Sequence, residues 1–335
     1  IMISACERAG RWEKALEIFD ELRRRGMQPD LFTYNALMSG YAKWGREDSQ
    51  AQALRLFDEL QKQGLEPDII TYSTLISACK ADRALELFDE LYEEKGLAPN
   101  IVTYNALIST CDKAGRWQKA LEIGHDMQMR GLEPDEVTYN TMISACAKAG
   151  EYDEARRKFG EMRRCGLTPT IISYNALISA CDHWKTAMQL FEDLQEWDVE
   201  PTVVTYGALI SACAKGRKWE KALALFDDME RRGLEPNLIT YSALISACEK
   251  DGRWQKALEL FDKVKRRGLE PNLIVYSALI SACAKGGQWE KALALFDELQ
   301  QLRGLEPDVV VYSALISACE KGGQWQKALD LFDDL

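Results

Sequence analysis

Histidine is nearly absent: His125 and His183 are the only two in 335 residues, and they fall in different parts of the chain. A histidine-based metal centre or general base therefore has no partner to work with. The sequence has no Gly-rich phosphate loop and no cysteines at zinc-ligand spacing. No apolar run reaches the roughly 18 residues that a membrane span needs. Cations are in deficit, with 42 Lys and Arg against 53 Asp and Glu, a net charge of −11. That is the wrong sign for a protein that merely coats nucleic acid. The Asp-Glu pairs, such as Asp58-Glu59 and Asp297-Glu298, read as solvated acid rather than Mg²⁺ ligands. No catalytic residue, metal, cofactor, small-molecule substrate or membrane insertion is expected.

What is present is one unit written repeatedly. Leu238 to Asn272 reads LITYSALISACEKDGRWQKALELFDKVKRRGLEPN, and the 35 residues before it repeat the pattern with small edits. Self-similarity at such a period decides fold class before any other reading. With Leu238 as place 1, Tyr241, Leu244, Ile245 and Cys248 form one helical apolar stripe. Trp254, Ala257, Leu258, Leu260, Phe261 and Val264 form a second, and Asp251-Gly252 marks the turn between them. Gly268 closes the second helix, Pro271 blocks its continuation and Asn272 caps the next. Helices this short are marginal alone, so each pair must be covered by its neighbours. The expectation is an all-α solenoid of stacked helix-turn-helix repeats.

The nine prolines all sit at place 34 and set the register. One continuous array of ten repeats follows, eight of them complete: 1–30 (partial), 31–68, 69–100, 101–135, 136–170, 171–202, 203–237, 238–272, 273–308 and 309–335 (partial). Repeat 31–68 carries an insertion around Trp44 to Gln50, where added length is cheap. Repeats 69–100 and 171–202 are contracted at Lys80 to Arg83 and at Asp182 to Lys185, and Asp198 replaces the closing glycine. The chain enters and leaves in mid-repeat, so any targeting segment, cap or appended domain is expected beyond it.

Nine of the ten cysteines occupy place 11 on the buried stripe. Stacked helices lie about 8–10 Å apart, beyond the ~7 Å that a disulfide allows between Cα atoms. They are expected to be free, buried thiols in a reducing compartment, with Cys165 off-pattern and exposed. The tryptophans at place 17, among them Trp12, Trp117, Trp219 and Trp254, are expected to pack between helices. The acids at places 25 and 26 are expected to line the outer wall.

With V-T-Y-N-A-L-I-S opening a unit and A-L-E-L-F-D-E-L…G-L-x-P-D closing it, the chain resembles pentatricopeptide repeats of the P class along essentially its whole length. The resemblance implies a right-handed α-solenoid that binds single-stranded RNA one base per repeat. It also implies residence in a chloroplast or mitochondrion. Places 5 and 35 choose the base, an aliphatic group at place 2 packs on it, and a cation at place 13 meets the phosphate. In this chain place 2 holds Phe32, Ile70, Val102, Val137, Ile172, Val204, Ile239, Ile274 and Val310. Place 13 holds Arg8, Lys43, Lys113, Lys148, Lys215, Lys250, Lys285 and Lys321, with Ala81 and His183 interrupting the line. Seven such lysines imply a salt slope of about −5.

The base-choosing pairs follow by position. Asn35/Asp68 and Asn105/Asp135 imply U; Ser73/Asn100 and Ser242/Asn272 imply A; Ser277/Asp308 implies G. Asn140/Thr170 and Asn175/Thr202 imply a pyrimidine, and Gly207/Asn237 leans to A. Asp30 and Ser313 belong to the two partial repeats. The expected target is 5′-UAUYYAAG-3′. Place 35 also reads as a plain helix N-cap. The function expected is non-catalytic, sequence-selective RNA binding on an organellar transcript. The alternative is a protein-binding scaffold, a subunit of an organellar ribosome or another large complex, which the acidic wall favours.

Overall fold

The repeat centred on Tyr241 shows why these residues fold as they do. The Asn237 side-chain oxygen accepts the Thr240 N–H at 3.0 Å and starts the helix Leu238–Lys250. Gly252 then takes φ +68°, and the Arg253 N–H reaches back to the Cys248 carbonyl at 2.8 Å. The second helix, Trp254–Arg266, ends the same way, with Gly268 at φ +70° and the Leu269 N–H on the Val264 carbonyl at 3.2 Å. Helix, turn, helix and stop appear where the sequence places them.

The computed structural model describes residues 2–44, 48–302 and 305–334, without the side chains of Ser4, Glu7, Arg8 and Trp44. It comprises two compact units, Ile1–Pro169 and Thr170–Leu335. Each unit is an α-solenoid of these hairpins, and no strand occurs among the described residues. Within each unit the first helix of a repeat packs on the first helix of the next, and the second helix packs against the following first helix.

Place 4 tyrosine holds the stack. In the first unit the rings of Tyr34, Tyr72 and Tyr104 are fully buried, each edge-on to a phenylalanine of the preceding repeat: Phe19, Phe57 and Phe88, at 5.2–5.7 Å. The second unit repeats this with Phe191–Tyr206, Phe226–Tyr241, Phe261–Tyr276 and Phe296–Tyr312. A buried phenol needs an acceptor, and place 26 of its own repeat supplies one. Tyr34 donates to Glu59 at 2.8 Å, Tyr72 to Glu90 at 2.7 Å, Tyr104 to Asp126 at 2.6 Å, Tyr174 to Asp193 at 2.9 Å and Tyr276 to Glu298 at 2.7 Å. Tyr206 makes the same bond to Asp228.

This corrects the expectation that acid at both places 25 and 26 lines the outer wall. Place 25 does face water, as at Asp58, Asp227 and Asp297. Place 26 turns inward because a helical residue one position on is rotated by about 100°. The Tyr206 hydroxyl, with Arg232 beside it, holds the Asp228 carboxyl below the usual carboxylate range.

Repeat irregularities are absorbed locally. The added residue near Tyr92 becomes a π-helical turn, Glu90–Glu94, that keeps Leu91 buried and Glu90 on Tyr72. In the contracted repeat 69–100 only Cys79 and Lys80 separate the helices Ile69–Ala78 and Ala81–Asp89. The insertion in repeat 31–68 includes residues 45–47, which lie outside the described residues. Asp198 and Arg217 stand at φ +56° and +54°, positions held by glycine in the regular repeats. Trp184, Trp254 and Trp289 pack against the next repeat, whereas Trp325 is exposed, which corrects the expectation for that tryptophan. A Cβ on Gly216, Gly286 or Gly322 would stand 2.1–2.3 Å from the indole of Trp184, Trp254 or Trp289. Lys221, Lys291 and Lys327 cover the same rings at 4.2–4.7 Å.

Two predictions follow from this packing. Place 26 of repeat 238–272 is Lys263, and the Tyr241 hydroxyl is buried with no hydrogen-bond partner. Lys263→Glu restores the acceptor and should stabilise the chain by about 1 kcal/mol; a thermal midpoint that falls would show that Lys263 is worth more in its 3.8 Å pairing with Glu230. Eight of the nine place-11 thiols are buried, Cys6 is half-buried and Cys165 is exposed. Burial pushes the thiols of Cys146, Cys213, Cys248 and Cys283 up to about 11. Alkylation of the native chain followed by peptide mapping should label Cys165 first and the eight buried thiols only on unfolding.

Candidate nucleic-acid interface

On the first helix of every repeat, places 4, 7, 8 and 11 point into the core. Places 2, 9 and 13 lie on the opposite side, within about 40° of one another and spread over about three turns. The side chains of this outer stripe share one solvent-facing edge within each unit.

Place 2 is the most exposed apolar position in the chain. Phe32, Ile70, Val102, Val137, Ile172, Val204, Ile239, Ile274 and Val310 are all between 56% and 72% exposed. Apolar side chains that recur in phase yet stay in water do not serve the core.

Beside them lies a polar joint built from place 5, place 35 and place 3 of the next repeat. Asp135 Oδ1 accepts the Thr138 N–H at 2.9 Å, the Thr138 hydroxyl at 2.8 Å and Asn105 Nδ2 at 3.1 Å. The Thr138 hydroxyl also lies 2.6 Å from Asn105 Oδ1. Asn175 repeats the arrangement, touching Thr202 at 3.5 Å and accepting from Thr205 at 2.7 Å. Ser73 reaches Thr103 at 2.8 Å. The hydroxyls of Ser73, Ser242, Ser277 and Ser313 donate back to the carbonyl four residues earlier at 2.7–2.8 Å. The structure thus joins Asn105 to Asp135 and Asn175 to Thr202, while the place-5 serines bond their own helix.

The N-cap reading of place 35 is also realised. Asp30, Asp68, Asn100, Asp135, Asn237, Asn272 and Asp308 each accept a backbone N–H three residues on. Thr170 and Thr202 form capping boxes with Ser173 and Thr205. Capping engages one terminal oxygen only. The second terminal atom, Oδ2 of Asp or Nδ2 of Asn, is left for other partners.

Lys43, Lys113, Lys148, Lys215, Lys285 and Lys321 are exposed at place 13 and Lys250 is half-exposed, while the Arg8 side chain lies outside the described residues. Two of them are ion-paired. Lys148 Nζ is 2.7 Å from Asp112, and Lys285 Nζ contacts Glu249. In the contracted repeats Ala81 is buried at the start of a second helix, and His183 caps one. Neither extends the cationic line.

Two features of this face were missed from sequence. Place 9 is serine in every repeat, from Ser39 and Ser77 to Ser281 and Ser317. Place 12 is alanine in four repeats (Ala42, Ala147, Ala214 and Ala284), lysine at Lys80 and acidic at Glu7, Asp112, Asp182, Glu249 and Glu320. Both are visible in the aligned repeats, in phase with place 13.

Three family models match: "PPR repeat family" over 1–43, 99–148, 134–182 and 271–321; "Pentatricopeptide repeat domain" over 55–114, 184–216 and 224–286; and "PPR repeat" over 32–65, 204–234 and 310–335. A curated relative, pentatricopeptide repeat-containing protein 10, chloroplastic, from Zea mays, is 51% identical over 45 residues, 13% of this chain and 6% of that protein. The crystal structure of PPR10 from maize aligns with 99% of this chain and 53% of that one, at 30% identity and a TM-score of 0.55. PPR10 in complex with an 18-nt psaJ RNA element aligns with 99% of this chain and 63% of that one, at 27% identity and a TM-score of 0.40. The chain spans about half the length of the solved PPR10 chain.

The joint at Asp135 makes a pH prediction. Burial raises its carboxyl pKa, but the bonds from Thr138 and Asn105 outweigh that and hold it below the ordinary value. Its stabilisation is therefore present above about pH 4 and is lost as pH falls through the depressed native value. Asp135→Ala should cost about 1 kcal/mol at neutral pH through loss of the cap. Asp135→Asn keeps a cap and should flatten the acid limb; stability measured from pH 6 down to pH 2 separates the two.

Proposed function

The chain belongs to the pentatricopeptide repeat family, and from that premise we propose that it binds single-stranded RNA sequence-selectively, one base per repeat, without chemistry of its own. The observation that carries the reading is the row of nine place-2 side chains, each more than half exposed beside a place 5/35 joint. A flat base is a partner that covers such a group and offers a hydrogen-bonding edge to the joint at once.

Capping supplies the logic of base choice. With Oδ1 turned to the helix, Asp presents an acceptor and Asn presents a donor. An acceptor suits the N3–H of U or the N1–H of G, and a donor suits N1 of A. At place 5, Asn extends over the joint beside a small pyrimidine, while Ser leaves room for a purine. Applied to Asn35/Asp68, Ser73/Asn100, Asn105/Asp135, Asn140/Thr170, Asn175/Thr202, Gly207/Asn237, Ser242/Asn272 and Ser277/Asp308, this yields 5′-UAUYYAAG-3′, read parallel to the chain. The maize relative carries the word chloroplastic in its name. That supports an organellar transcript as the target, in a chloroplast or mitochondrion.

Selection from randomised RNA should recover this octamer. Equal recovery of all sequences would remove base reading and leave a protein-binding scaffold as the better account. Ser73→Asn places an amide where Asn105 sits in the regular joint and should move preference at the second base from A toward a pyrimidine. The shift expected is about 1 kcal/mol, roughly fivefold in Kd, read by binding a panel substituted at that base.

A further inference from the structure

Two of the lysines at place 13 are held by carboxylates of the preceding repeat. Lys148 is paired at 2.7 Å with Asp112, and Lys285 with Glu249, each acid lying at place 12 of the repeat before. Lys113, Lys215, Lys250 and Lys321 have no carboxylate partner among the described residues. The rule is simple. Where the preceding repeat has alanine at place 12, as before Lys250 and Lys321, or is contracted, as before Lys113 and Lys215, the lysine is unpaired.

The two acids bring little to the fold. Asp112 and Glu249 are 11% and 14% exposed, so each carboxylate has surrendered most of its hydration. Asp112 Oδ1 is buried with no partner at all. Glu249 is better satisfied, accepting also from the Ser281 hydroxyl at 2.8 Å. Alanine fills the same place in Ala42, Ala147, Ala214 and Ala284, so the repeat folds without an acid there. A carboxylate held beside a groove cation presents the charge and the acceptor oxygens that an RNA phosphate would present.

We propose that Asp112 and Glu249 are built-in competitors of the RNA phosphate, each occupying the lysine that would otherwise hold the backbone at its step. The proposal rests on the RNA-binding reading above and names how its affinity is set. Phosphate attraction is independent of sequence. Silencing it at two steps lowers binding to every RNA while leaving the preference among bases unchanged.

The test is Asp112→Asn with Glu249→Gln, both close in shape to the wild type. Binding of 5′-UAUUUAAG-3′ and of poly(U) is followed from 0.05 to 0.3 M salt, with circular dichroism to check folding. Releasing Lys148 and Lys285 should steepen the slope of log K against log salt by about 1.4 in the double variant relative to the wild type. At 0.1 M salt each released lysine should tighten binding about fivefold, for both RNAs alike. A single-site cycle guards against a folding artefact: Lys148→Ala should change Kd less than twofold in the wild type and about fivefold in the Asp112→Asn background.

If both proteins bind with the same slope, the inference is overturned and RNA binding stands. If the slope steepens on poly(U) but the octamer is not preferred, the competitor role stands and base reading falls. If the wild type binds neither RNA, both are overturned.

Discussion

The phenol at place 4 does two incompatible-looking things at once. Its ring is buried against a phenylalanine of the repeat before, and its hydroxyl is tied to a carboxylate on the second helix of its own repeat. The ring therefore joins neighbours and the hydroxyl fixes the angle inside a hairpin. Burying a phenol without an acceptor is costly, which constrains place 26 to Glu or Asp in most repeats. The outer stripe of the first helix, on the far side from that tyrosine, inherits its orientation from the same contact. What faces the groove is decided by what is held behind it.

Along that edge, helix capping and exposed hydrogen-bonding atoms belong to the same side chains. A carboxylate or carboxamide at place 35 has two terminal atoms, and the helix end claims one of them. Because the claim is always made by a backbone N–H, the engaged atom must be oxygen, and the free atom differs between Asp and Asn. Asp135 and Asn100 thus begin helices in the same way while turning opposite hydrogen-bonding character outward. A position that must cap cannot drift, which is how a residue between helices acquires a fixed orientation for its second terminal atom.

Charge follows a similar division. The chain is acidic overall, yet the acid is sorted by a single helical step: place 25 to solvent, place 26 to the buried phenol. Place 12 departs from this pattern at Asp112 and Glu249, where acid enters the cationic stripe itself. Net charge alone would have misjudged how acid and base are distributed between these faces.

The period, the register and the helix boundaries were legible in the chain because proline, glycine and the apolar stripes recur at fixed places, and local backbone rules act within a few residues. The free thiols were legible too, since place 11 lies on the buried stripe; so was the exposure of place 2, three turns from place 13 on the opposite side. The partner of the Tyr276 hydroxyl, the inward turn of place 26 and the pairing of Lys148 with Asp112 were not. Each of those joins residues 18 to 36 positions apart, and which side chains meet at such separations depends on how one hairpin leans on the next. Sequence by itself determined the unit and the face that each residue occupies. Only the stacking of the helices decided which of those faces touch, because contact between repeats is set by packing distance and angle rather than by periodicity.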